Sequence, residues 1–288
     1  MKTYAFALIH FGNNPKYLEY ELYFLMNLKK NTTHDILYLY SIHDTPYEFV
    51  EIIKNINIGI QTIGYDDKGI TFDINDKFIS GYDHFNTLRT CNFIYAYQLT
   101  QYKKVCILES DMVIMKNIDS IFDLKCPSVF YTMNKNTIQK DNSNYLIHVN
   151  RQKMIDNCKK GTPINGGVLL LKPELKMFKY LRNKIIHVIK NNCSYPNETL
   201  MISNIEPIYN LPIIYNFSHY RFRDFNVFKN ICIVHYNQST FKPLDVIKEK
   251  YKEKKEVKRK LINYYKKNIY DPFHSQINKL LENKDIKV

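Results

Sequence analysis

VCILESD, residues 105–111, runs four apolar side chains directly into a Glu-Ser-Asp terminus. A short, continuous apolar run bounded by polar residues reads as a central strand of an α/β sheet, buried on both faces. Ligands of such sheets collect beyond the carboxyl ends of the strands. Glu109 and Asp111 are therefore expected at the ligand edge. Side chains at i and i+2 of an extended segment point the same way, so both carboxylates can reach one ion.

The flanking sequence supports that sheet. TYAFALI (residues 3–9) reads as a buried strand leading into a Gly-Asn-Asn-Pro turn. Pro15 opens a helix to about Lys29, with Tyr17, Tyr20, Phe24 and Leu28 near helical spacing. DILYLYS (35–41) is a second strand, Glu48 to Ile56 a helix and IGIQTIGY (58–65) a third strand. Asp83 is placed to cap a helix reaching about Tyr102. Alternating strands and helices over residues 1–125 predict a Rossmann-like sheet flanked by helices.

Further along, Asp119 is expected to cap the short DSIF helix, and residues 133–164 read as a long polar loop of the lid or binding kind. PINGGVLLLKP (163–173) reads as a turn feeding a strand, with helices at 174–191 and 198–205 and strands at IIYNF and NICIVHY. From Leu244 the pattern becomes lysine-rich and helical. The expected organisation is one domain over 1–245 and a helical tail over 246–288 that packs Tyr and Leu on one face.

Length and composition bound the function. A chain of 288 residues, 45% apolar and 24% charged, has the makeup of a soluble globular protein with a substantial core. A net charge of +13 attracts anions such as nucleotide diphosphates, nucleic acid or acidic membrane. Much of it lies near the C-terminus, and the excess of Asn, Ile, Lys and Tyr follows AT-rich codons, so most of this charge reads as solvated surface. The tail interleaves Glu with Lys and lacks base-reading motifs, so no nucleic-acid partner is expected. No stretch approaches the ~20 apolar residues of a bilayer span, and the N-terminus reads as a strand rather than a secretory leader. The six cysteines (Cys91, Cys106, Cys126, Cys158, Cys193 and Cys232) have neither metal nor disulfide spacing, which favours reduced thiols. Sequons stand at Asn31, Asn192, Asn197, Asn216 and Asn237, two of them in segments assigned to the site, where a glycan would block chemistry. A cytoplasmic location is expected.

Three segments carry the chemistry: LESDMVIMKNIDSIF (108–122), PINGGVLLLKP (163–173) and IVHYNQSTFKPL (233–244). Carboxylates and an imidazole gathered from such segments can hold a divalent cation, which neutralises a diphosphate as a Lewis acid. Such ligands suit Mn²⁺ or Mg²⁺, the His donor favouring Mn²⁺.

In these segments the chain resembles glycogenin and its relatives in glycosyltransferase family eight, retaining enzymes of the GT-A fold. LTQYKKVCILESDMVIMKNIDSIF resembles the family block with an acid-x-acid metal motif and a following Asn-Ile-Asp segment. NGGVLLLKP resembles its Asn-x-Gly strand motif. PNETLMISNI and LPIIYNF resemble its Asp-Gln-x-x-Leu-Asn and Leu-Pro-x-x-Tyr-Asn blocks, and HYNQSTFKP its late His…Lys-Pro motif. The blocks occur in order over roughly residues 3–245.

The resemblance implies that Glu109, Asp111 and His235 ligate the metal and that Lys242 contacts the diphosphate. It puts Asn165, Gly166 and Gly167 against the donor sugar, and Asn197 and Glu198 in the catalytic Asp-Gln position beside it. Ile9 and Tyr17 fall near the nucleoside, and Ser110 and Arg89 complete the donor side. The implied reaction is Mn²⁺-dependent retaining transfer of glucose or galactose from a UDP-sugar to a protein or glycan acceptor. Self-glucosylation on Tyr occurs in the family, and its members often form homodimers.

The departures from the family pattern are specific. Glu109 stands where most relatives have Asp, Asn197 replaces an Asp, and Leu244 replaces a Trp. A basic residue common in the helix before the metal strand falls at Phe93, with Arg89 four residues earlier on the same face. The 133–164 loop is longer than in glycogenin, so acceptor specificity is expected to differ. The departures motivate an alternative class, a non-catalytic nucleotide-sugar or glycan-binding protein on a GT-A fold.

Overall fold

In the computed structural model the described residues are 2–56, 58–70, 89–132, 142–156, 163–190, 195–218, 230–236, 242–248, 256–284 and 286. Ten strands are numbered along them: β1 (Lys2–His10), β2 (Asp35–Ser41), β3 (Ile60–Tyr65), β4 (Tyr102–Leu108), β5 (Met112–Ile114), β6 (Ser128–Tyr131), β7 (Ile164–Leu171), β8 (Tyr209–Asn210), β9 (Phe217–Ser218) and β10 (Ile233–His235). Seven form one mixed sheet in the order β3-β2-β1-β4-β7-β6-β8, and three form a small second sheet, β5-β10-β9. VCILESD thus supplies the middle strand, parallel to β1 and antiparallel to β7.

Side-chain alternation splits the core cleanly between the two faces of the sheet. Phe6, Leu8, Ile36, Tyr38, Cys106 and Leu108 pack on one face. Ala5, Ala7, Leu37, Leu39, Val105 and Ile107 pack on the other. That period of two, filled with apolar residues in both phases, is what buries a strand on both sides.

Eight α-helices are numbered likewise: α1 (Pro15–Lys30), α2 (Tyr47–Asn55), α3 (Arg151–Asp156), α4 (Leu175–Lys190), α5 (Pro196–Asn204), α6 (Pro243–Lys248), α7 (Glu256–Tyr265) and α8 (Asp271–Glu282). The Asn14 side chain accepts from the Lys16 N–H at 3.0 Å and Pro15 occupies the first turn, so α1 begins where the sequence places it. A single amide then fixes how α1 meets the small sheet. Asn27 donates to the Ile114 carbonyl at 3.1 Å and accepts from the Ile114 N–H at 2.7 Å, satisfying the free edge of β5.

The lysine-rich tail turns back onto α1. Leu261, Tyr265, Ile269, Ile277 and Leu281 are buried in the same cluster as Tyr23, Phe24 and Leu28. Burying each such side chain contributes about 1.5–3 kcal/mol. Tyr23 and His274 share a 2.8 Å hydrogen bond, and α6 is tied to α1 by ion pairs of Lys248 with Glu19 and Lys16 with Asp245.

Several local expectations are corrected. The Asn165-Gly166-Gly167 segment is extended and inside β7, not a turn ahead of it. Pro212 opens a 3₁₀ turn at Ile213–Tyr215, so only Phe217–Ser218 of the IIYNF region pairs as a strand. Asp119 makes no cap of its own helix; its carboxylate accepts from the Thr33 N–H at 3.0 Å and from the Thr32 hydroxyl, pinning the α1–β2 connection. Of the helix expected from Asp83, the described part is a 3₁₀ helix at Thr90–Gln98, and Asp83 lies outside the described residues. Residues 133–141 and 157–162 of the expected loop and 249–255 of the tail lie outside them too.

Candidate active site

The small sheet gathers residues far apart in sequence. β4 ends at Leu108, and the Glu109 N–H donates to the Gly167 carbonyl at 3.1 Å, extending the β4–β7 pairing by one residue. Asp111 directly precedes β5, and its carbonyl accepts from the Tyr236 N–H at 3.0 Å. Because β10 runs antiparallel to β5 and parallel to β9, His235 lies across from Met112 on one side and Ser218 on the other.

The result is a tight polar cluster. His235 Nε2 stands 3.2 Å from Glu109 Oε2 and 3.1 Å from Asp111 Oδ1. One ligand-capable atom from each of the three residues lies within 4.8 Å of the others. His235 is buried, Asp111 partly so and Glu109 exposed, so the cluster opens to solvent on the glutamate side. Asp111 Oδ1 and His235 Nε2 are buried and face only each other and Glu109, with no hydrogen-bond partner outside the cluster. Buried polar atoms left in that state demand an explanation. Two carboxylates and an imidazole converging on one point have the chemistry to hold a divalent cation once the imidazole gives up its second proton, and oxygen-plus-imidazole donors fit Mn²⁺ or Mg²⁺.

Electrostatics agree with the geometry. Burial works against the ionised Asp111, but His235 and Lys242 outweigh it and hold the carboxyl well below the usual range. Burial also works against charge on His235, yet Asp111 and then Glu109 raise its imidazole to about 9. The two oxygens of Asp111 divide their work: Oδ2 accepts from the Lys242 ammonium, while Oδ1 faces His235. Lys242 also donates to the Tyr236 carbonyl at 3.2 Å.

β7 is shaped to admit this cluster. Val129 pairs with Leu169, but the next residue, Phe130, pairs with Asn165, so Gly166, Gly167 and Val168 bulge out of the β6 ladder. The Gly166 N–H donates to Glu198 Oε1 at 3.0 Å, and a β-carbon on Gly166 would lie 3.1 Å from Asn197 Nδ2. α5 therefore delivers Asn197 and Glu198 to the face of the glycine strand. Ser110 lines a small pocket with Asp111, Lys242, Tyr20 and Tyr236.

Nine of the residues singled out from sequence thus meet through direct contacts: Glu109, Asp111, His235, Lys242, Asn165, Gly166, Gly167, Asn197 and Glu198. Ile9, Tyr17 and Arg89 lie on other elements: near the end of β1, in the first turn of α1 and just ahead of the Thr90–Gln98 helix. Ile9 is partly buried in β1, opposite Leu39, and Tyr17 is 54% exposed in the first turn of α1. Arg89 is buried, ion-paired with Asp44 and Asp67, and packed over the Phe11 ring at 5.3 Å. Sequence reasoning missed Asn216. It accepts from His235 Nδ1 at 2.9 Å and donates to Asn165 Oδ1 at 2.8 Å. Its signal lay in LPIIYNF, the block picked out by the resemblance, in which the Asn was given no role.

A mixed seven-stranded sheet with helices on both faces, and a small sheet docked at the central strand's carboxyl end, is the fold of the GT-A glycosyltransferases. Among solved structures the chain superposes on the bifunctional glycosyltransferase WbbM with a TM-score of 0.59 at 12% identity over 97% of its length. It spans about half of WbbM, 52%. Galactosyltransferase LgtC, solved with donor and acceptor sugar analogues, gives a TM-score of 0.55 at 12% identity, covering 83% of this chain and 88% of LgtC. No family model matches the chain. A curated relative is the uncharacterized protein R707 of Acanthamoeba polyphaga mimivirus, 26% identical over 303 residues, which cover 100% of this chain and 99% of that protein. Among the described residues no helix is long and apolar enough to cross a membrane.

Proposed function

We propose that the protein is a retaining glycosyltransferase that moves a hexose, glucose or galactose, from a UDP-sugar to a protein or glycan acceptor in a Mn²⁺-dependent reaction. The observation that carries this reading is the convergence of Glu109, Asp111 and His235, one ligand-capable atom from each within 4.8 Å of the others, at the tip of the central strand. The GT-A fold and the ordered motif resemblance support it. LgtC, solved with donor and acceptor sugar analogues, supports the substrate class.

In this reading Glu109, Asp111 and His235 hold the cation. When bound, it supplies Lewis-acid neutralisation of the diphosphate leaving group. Lys242 adds a fixed positive charge where negative charge develops as the anomeric C–O bond breaks, and preorganised charge of this kind is usually the largest catalytic term. Asn165 and the side-chain-free Gly166 and Gly167 let the backbone lie against the donor sugar. Asn197 and Glu198 flank that sugar, and Glu198 is itself oriented by the Gly166 N–H. Ile9 and Tyr17 flank the nucleoside. The acceptor hydroxyl attacks from the face the diphosphate leaves and gives its proton to the departing phosphate oxygen, which retains configuration.

The buried Asn216 sequon supports a cytoplasmic location, and the resemblance alone supports self-association and self-glucosylation on Tyr. Intact-mass measurement after incubation with UDP-glucose or UDP-galactose and Mn²⁺, alongside a UDP-release assay, tests the reading. Turnover is expected for the wild type and not for Asp111→Asn. Full turnover by Asp111→Asn removes the cation role, and nucleotide-sugar binding without turnover by the wild type favours the non-catalytic alternative.

A further inference from the structure

A chain of polar contacts behind the cluster fixes more than position. The Gly167 N–H can only donate, and its partner at 3.3 Å is therefore the carbonyl oxygen of the Asn165 amide. That same oxygen faces Asn216 at 2.8 Å, so Asn216 must present its NH₂ there. The NH₂ also faces the Asn165 backbone carbonyl at 3.5 Å, a second acceptor that requires the same orientation. With its NH₂ so committed, Asn216 offers only its oxygen to His235 Nδ1, 2.9 Å away. His235 must carry a proton on Nδ1. Asn216 is 2% exposed, so solvent does not compete for its amide.

We propose that Asn216 is a positioning residue for the cation: it holds His235 as the Nδ1–H tautomer and thereby aims the Nε2 lone pair between Glu109 and Asp111. The inference rests on the cation reading of the site and deepens it. A backbone N–H on the glycine strand sets the orientation of one amide, which sets a second, which sets the imidazole. The same relay ties Asn165, assigned to the donor sugar, to the histidine that would hold the cation. Partners behind a ligating histidine typically govern metal affinity by about 10–100-fold.

Mn²⁺ affinity, read by electron paramagnetic resonance on wild type, Asn216→Ala and Asn216→Asp, tests the proposal. It is accompanied by ¹⁵N histidine spectra of the Mg²⁺-loaded wild type, with the His235 signal assigned by its loss in His235→Gln. The expected results are affinity about 10–100-fold weaker in Asn216→Ala, largely retained in Asn216→Asp, which still accepts from Nδ1–H, and a proton on Nδ1 in the wild type. A folded Asn216→Ala that binds Mn²⁺ as the wild type does overturns the inference while leaving the cation site intact. Should Asn216→Ala fail to fold, the wild-type tautomer decides, because a proton on Nε2 in the loaded protein overturns the relay. A wild type that binds no Mn²⁺ removes the cation reading itself, and the inference with it.

Discussion

Gly167 and His235 are packed so closely that a β-carbon on residue 167 would lie 2.3 Å from the His235 Cε1 atom, and 2.8 Å from Glu109 Oε2. No side chain tolerates such distances, so Gly167→Ala must push two cluster members apart. Mn²⁺ affinity is expected to fall by at least about tenfold, with a loss of about 1–3 kcal/mol of stability from overpacking. Calorimetric titration and denaturant unfolding check both, and unchanged Mn²⁺ binding would show that the glycine is not there for the cluster.

Cation binding should release a proton. Without a cation His235 keeps its second proton up to about 9, and that proton occupies the lone pair a metal needs. Apparent Mn²⁺ affinity is therefore expected to rise with pH, by about tenfold per unit until it levels near the histidine's own value. Titrations in buffers of different ionisation enthalpy read the proton directly. The sign for folding is opposite. In the metal-free protein the raised imidazole stabilises the fold fully below its unfolded value of 6.5 and loses that contribution as pH climbs through about 9.

Arg89 carries a structural prediction. Its guanidinium is buried between Asp44 and Asp67, with Asp67 fully buried and hydrogen-bonded to Asn92 and Ser41. Removing the cation strands two carboxylates, so Arg89→Met is expected to cost about 3–5 kcal/mol. Thermal and urea unfolding measure this, and a loss below about 1 kcal/mol would show that the buried pair contributes no more than an exposed one.

Ile277 reports on the tail. It is 0% exposed against the α1 side of the core. Ile277→Ala is expected to cost about 2–5 kcal/mol while leaving Mn²⁺ affinity of the folded protein unchanged. A tail that merely trails in solvent would show no loss in a denaturation curve.

How much of this the sequence carried depended on how local the determinants were. β2 is Asp35–Ser41, residue for residue as the apolar run marks it, and α1 begins at the proline that announces it. The acid pair at Glu109 and Asp111 was readable because a strand's end and its i, i+2 spacing are properties of seven consecutive residues. Asn216 was not, since its role comes from Asn165 and His235, 51 and 19 residues away. The glycine segment misled for a similar reason. Asn-Gly-Gly is turn chemistry by itself, and only the bulge against β6 and the approach of His235 make it strand.

The hydrogen bond between Tyr23 and His274 joins residues 251 positions apart. During synthesis Tyr23 leaves the ribosome long before Tyr265, Tyr270 and His274, the rings that pack against it. Closure of so distant a contact is slow compared with helix formation. This side of α1 is thus sealed only by the last helices of the sequence, and shortening the chain before Tyr265 would leave the Tyr23 ring in water.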